Sequence, residues 1–170
     1  MPTDFRDMAA RAKAAHEAKQ AGARSTQNEA RDARAKYVDA ATAILADVVM
    51  PLLERAKIDF AAENIDAKIE TDFDVKNRSN KDPSVSFQFC GPRRQSDSFQ
   101  FKCITAFFSS DGKKITASVA KNPLDARPGV SLGEAEPRQA ETMISNAIER
   151  CLGSYYDVLQ KHIDSGTHDR

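Results

Sequence analysis

Apolar residues recur every three or four positions at both ends of this chain and every second position in between, so helices bracket a block of strands. Phe5, Met8, Ala9, Ala12 and Ala15 share helical spacing, and Thr3 and Gly22 are placed to start and stop that helix. Beyond Met8 it carries little apolar mass and can bury little surface. Residues 1–25 therefore read as a helical arm. A new start follows at Thr26-Gln27-Asn28-Glu29, a capping box in which Thr26 and Glu29 satisfy each other's free amides. Tyr37, Ala41, Ile44, Val48, Leu52 and Ala56 then form one core-facing stripe. Pro51 interrupts it, removing a backbone donor and crowding the preceding turn. This predicts a kink between Asp47 and Met50, with the helix running on to Glu63-Asn64.

Four runs with a period of two follow, at Ala67–Val75, Ser84–Cys90, Ser98–Phe108 and Lys114–Ala120, separated by polar turn clusters. Their main apolar positions are odd-numbered: Ile69, Phe73, Val75; Val85, Phe87, Phe89; Phe99, Phe101, Cys103, Phe107; Ile115, Ala117, Val119. Hairpins keep these on one face only if paired residue numbers sum to an even value. A three-residue Ser110-Asp111-Gly112 loop, with Gly112 left-handed, pairs Ser109 with Lys113 and meets that condition. The expected rows are Phe73–Phe87–Phe101 and Val75–Val85–Cys103–Val119. Ile104, Ala106 and Phe108 break the pattern on the even face, which otherwise carries Ser98, Gln100 and Lys102. An apolar patch of this kind needs cover. It is the expected partner-binding site, covered by the N-terminal helices or by another subunit, with a bulge that rotates it inward as the alternative.

Residues 122–136, with Pro123, Pro128, Gly129 and Gly133, read as an irregular loop. Pro137 suits a first helical turn. Ala140, Met143, Ile144, Ala147, Ile148, Cys151, Leu152, Tyr155 and Leu159 then make a wide stripe that should lie across the odd face of the sheet. The expected class is α+β, with N-terminal helices, a four-stranded antiparallel meander and a C-terminal amphipathic helix packed on the sheet. Residues 26–164 form the domain and 165–170 a loose tail. The element order resembles that of small secretion chaperones, a likeness of order alone.

The 25 basic and 25 acidic residues cancel, but not locally. Residues 1–36 carry +3, 37–75 carry −6, 76–122 carry +6 and 123–170 carry −3. Such segregation lets acidic and basic parts attract one another within or between chains. Apolar runs fall far short of the ~18 residues of a membrane span. The first residues lack a secretory leader's basic and apolar regions. Three cysteines without metal spacing favour a reducing cytosol.

Catalytic signatures are weak. His16-Glu17 is followed by Gln20 where a zinc helix needs its second histidine. Asp72, Asp74 and Lys76 begin like a calcium loop, which then fails at Asn77 and Pro83. Cys103 and Cys151 fall on core faces and read as buried thiols, and Cys90 points outward at a strand end. No nucleophile–base pair, phosphate loop, metal site or cofactor site is apparent. The leading expectation is a non-catalytic, chaperone- or adaptor-like interaction protein. Its partners would be itself, as a homodimer, and another protein, in the cytoplasm. One alternative is nucleic-acid binding through Arg93, Arg94, Lys102, Lys113 and Lys114. Another is a small apolar ligand held between the phenylalanine face and the last helix.

Overall fold

The computed structural model describes residues 5–78, 80–90, 104–120 and 128–166. Contacts divide the chain into two units, Met1–Lys36 and Tyr37–Arg170.

The first unit is helical. Helix α1 runs Phe5–Ile44 and contributes its residues up to Lys36 here. Gly22 does not end it. One glycine costs a helix only ~1 kcal/mol relative to alanine, and the surrounding alanines absorb that. The expected capping box lies inside the helix and bonds within it. The Thr26 hydroxyl donates to the Gly22 carbonyl at 3.0 Å, and the Ser25 hydroxyl donates to Glu29 at 3.1 Å. Every residue from 5 to 33 is exposed.

The second unit is α+β. It begins with the end of α1, a π turn at Leu45–Val49 and helix α2, Met50–Ala62. The π turn falls where Pro51 demanded a disturbance. The Met50 amide donates to Leu45 O, five residues back, and this wider turn makes room for a proline ring that a regular α-turn would clash with. Both before and within the π turn the buried face is offset by one position from most of the expected stripe. Val38, Ala41, Leu45, Val49 and Leu53 are sealed, while Ile44, Val48 and Leu52 flank them. Asn64, at φ 60°, closes α2 with amide bonds from Asn64 to Ala61 O and from Ile65 to Phe60 O.

Five antiparallel strands follow in sequential order: β1 Ala67–Asp72, β2 Ser84–Phe89, β3 Ile104–Ser110, β4 Ile115–Ala120 and β5 Pro128–Ala135. The stretch expected to be an irregular loop supplies the fifth. Its Pro128 opens the edge strand, and the register slips around Leu132 beside Gly133, at φ 116°. Edge strands tolerate both features because one side of their backbone makes no ladder.

The register corrects the expected rows. Phe87 faces Ile69 and Ala106, Val85 faces Thr71 and Phe108, and Val119 faces Ala106. Phe101 and Cys103 lie outside the described residues. The core face takes odd residues from β1, β2 and β4 and even residues from β3. Pairing across β3 therefore sums to odd numbers, as in Ser110 with Ile115. The connecting loop has four residues, Asp111–Lys114. Asp111 Oδ1 accepts the amides of Lys113 and Lys114 at 2.8 and 2.7 Å, and the Ser110 hydroxyl donates to Lys114 O at 2.8 Å. Gly112 is left-handed there, at φ 85°. The physical reason is burial. This register puts Ile104, Ala106 and Phe108 inside, whereas the opposite parity would enclose Thr105, Phe107 and Ser109.

A 3₁₀ turn at Pro137–Gln139 leads into α3, Ala140–Gly166. Leu45, Val49 and Leu53 share one core with the inner sheet face and with Ile144, Ala147, Cys151 and Tyr155 of α3. Phe89 is its hub. Its ring centroid lies 5.2 Å from Phe60 of α2, 5.3 Å from Phe87 and 5.9 Å from Tyr155 of α3. The opposite face carries Ser84, Ser86, Thr105, Ser109, Thr116 and Ser118 around Phe107.

Candidate interaction surface

Ile104, Ala106 and Phe108 are not a surface. Their exposures are 3, 0 and 0%, and they pack in the same cluster as Phe87 and Phe89. The partner-binding expectation is corrected: β3 turns its even residues inward, where Leu45, Val49 and Leu53 of the N-terminal helices and residues of α3 share their core. Of the nucleic-acid candidates, only Lys113 and Lys114 are among the described residues. Arg93, Arg94 and Lys102 lie outside the described residues. Lys113 and Lys114 sit in the β3–β4 turn, where Lys114 Nζ is 3.5 Å from Glu134.

The titratable groups are mostly engaged locally. Lys81 and Arg78 both reach Asp72, the latter at 3.5 Å, so basic side chains engage the run that begins like a calcium loop and then fails as one. Lys76 meets Asp39 at 2.7 Å, and the Tyr37 hydroxyl donates to Asp82 at 2.8 Å, pinning that loop to the end of α1. The His16 ring bonds Gln20 at 2.9 Å. Backbone amides of Lys114 and Lys113 hold the Asp111 carboxyl below the usual carboxylate range. Hydrogen bonds from Lys68 and Gln88 do the same to Glu70. Among the described residues no three His, Cys, Asp or Glu side chains gather as a metal site.

Cys151 is a free, buried thiol on the core face of α3, as expected, and burial pushes its pKa up to about 12. A thiol held neutral in this way is a poor nucleophile. Cys90, expected to point outward at a strand end, is disulfide-bonded. Cys103 lies outside the described residues. A cleft of about 450 Å³ beside β5 and the start of α3 has Leu132 and Met143 among Glu134, Gln139, Asn146 and Arg150. It is at the sheet edge, not between the phenylalanines and α3.

What the pattern reading missed is on α3 itself. Its broad apolar stripe is two stripes. Ala140, Ile144, Ala147, Ile148, Cys151 and Tyr155 are buried. Leu152, Tyr156, Leu159 and Ile163 follow at spacings of four, three and four. At 100° per residue these four lie within about 60° of one another, bordering the buried set. Leu152 and Leu159 are partly buried against the core, while Tyr156 and Ile163 are each 51% exposed. The signal was the width of the stripe, more than a helix needs to pack on one sheet. Burial, then the neighbouring Tyr156 and Asp66, shift the Tyr155 hydroxyl up. Glu149 borders the stripe on its solvent side, and Arg150 and Lys161 project from the other side of the helix. No family model, curated protein or solved structure matches this chain.

Proposed function

We propose that this chain is a non-catalytic interaction protein, of the chaperone or adaptor kind, that self-associates through α3. The observation that carries the reading is the second stripe, Leu152, Tyr156, Leu159 and Ile163, with Tyr156 and Ile163 half exposed beside a finished core. Aromatic and aliphatic side chains at helical spacing are what a partner helix takes up, and leaving them in water favours association. Cys90 bears on the compartment. Disulfides persist in oxidising surroundings, which weighs against the cytoplasmic setting expected from three cysteines without metal spacing. Among the described residues no helix is long and apolar enough to cross a membrane. The test is sedimentation of the full chain at micromolar concentration. A mass above 18.7 kDa that falls in Tyr156→Asp supports the reading, and a monomer at all concentrations overturns it.

A further inference from the structure

We propose that the α3 stripe receives the α1 arm of a second copy, so that two chains exchange arms. The inference rests on the self-association reading and names the surfaces that meet. The arm has an apolar stripe of its own. Phe5 is 74% and Met8 55% exposed, and Ala12 and Ala15 continue their face. A helix gains most of its stability from packing, and residues 5–33 are all exposed. The lengths agree. At 1.5 Å per residue, Phe5 to Ala15 spans about 15 Å and Leu152 to Ile163 about 16 Å.

Charge selects this pairing over arm with arm or α3 with α3. Residues 1–36 carry +3 and the rest of the chain −3. Locally, Arg11 and Lys13 project on either side of the Phe5–Met8–Ala12 face, and Asp7 projects opposite it. The α3 stripe has Glu149 on its border, and residues 123–170 together carry −3. A base-flanked stripe on an acid-flanked stripe attracts, whereas two arms together repel. Each chain carries one of each, so the exchange closes as a two-fold dimer and leaves neither stripe open for further growth.

The experiment uses the full chain with p-benzoylphenylalanine in place of Phe5, mixed with an equal amount of isotope-labelled chain and irradiated. The inference expects cross-linked peptides that join position 5 of one copy to residues 149–163 of the other. It also expects Tyr156→Asp and Phe5→Asp each to raise the dimer dissociation constant at least ~10-fold, with the helical signal and melting of each variant unchanged. A dimer whose cross-links join arm to arm, or in which Phe5→Asp has no effect, overturns the arm exchange and leaves self-association standing. A monomer in sedimentation overturns both.

Discussion

Phe108 separates a core from a contact surface, and its truncation tests the register directly. The ring is fully buried on β3 between Val85 of β2 and Ala117 of β4. Phe108→Ala loses the transfer free energy of a buried aromatic, ~2–3 kcal/mol. The cavity left in a core tied to both helices raises the loss to ~3–5 kcal/mol. That is a large part of the ~5–15 kcal/mol that holds a domain together. With a urea dependence of ~2 kcal/mol per molar, the unfolding midpoint falls by ~2 M. Phe107→Ala is the internal control. Its half-buried ring lies one residue away on the opposite face, and its loss costs ~1 kcal/mol. The assay is urea unfolding followed by circular dichroism, with sedimentation of each variant beside it. If Phe108→Ala keeps its midpoint and loses mass instead, the residue is an interface side chain and the odd-sum register is wrong. Equal losses for the two phenylalanines would refute the parity as well.

Gly112→Ala should lower stability by ~1–2 kcal/mol in thermal melts. The residue is left-handed at φ 85°, and an added Cβ would stand 3.4 Å from Ala40 Cβ. A neutral result would mean that the turn is free to rearrange. Cys151 should label with a thiol reagent only as fast as the protein unfolds, and Cys90 only after a reductant is added. Labelling of either in the native, unreduced protein contradicts the structure. The Asp111 carboxyl is held below its ordinary value in the folded chain, so its ionised form contributes stability above about pH 4 that is lost as pH falls through the lowered pKa. The melting gap between wild type and Asp111→Ala should therefore narrow from pH 7 to pH 2.5, and a gap that widens would reverse the assignment.

Periodicity was enough for the elements whose burial depends on their own residues. The alternation in 84–89 and 115–120 places Val85, Phe87, Phe89, Ile115, Ala117 and Val119 inside, as found. The 3.6-residue recurrence from Ala140 to Tyr155 likewise marks the buried face of α3. Pro51 announced a local disturbance because its missing donor and its ring act on the turn just before it. Gly22 and the Thr26–Glu29 box misled because a stop signal acts only if the chain beyond it prefers to leave the helix. Here alanine-rich sequence continues on both sides.

Tertiary structure decided the rest. Which parity of β3 faces inward depends on how many residues the 111–114 turn spends, and two or four residues flip every side chain relative to three. Burial selects the four-residue count, and Asp111 fits it by accepting two backbone amides. The 128–135 segment carries proline and glycines and is a strand only because β4 offers it a hydrogen-bonding edge. The candidate surface divides in the same way. Leu152, Tyr156, Leu159 and Ile163 were legible as apolar, but apolar character alone does not say what is covered. Only the width of the sheet beneath α3 showed that the helix buries Tyr155 and leaves Tyr156 half in water.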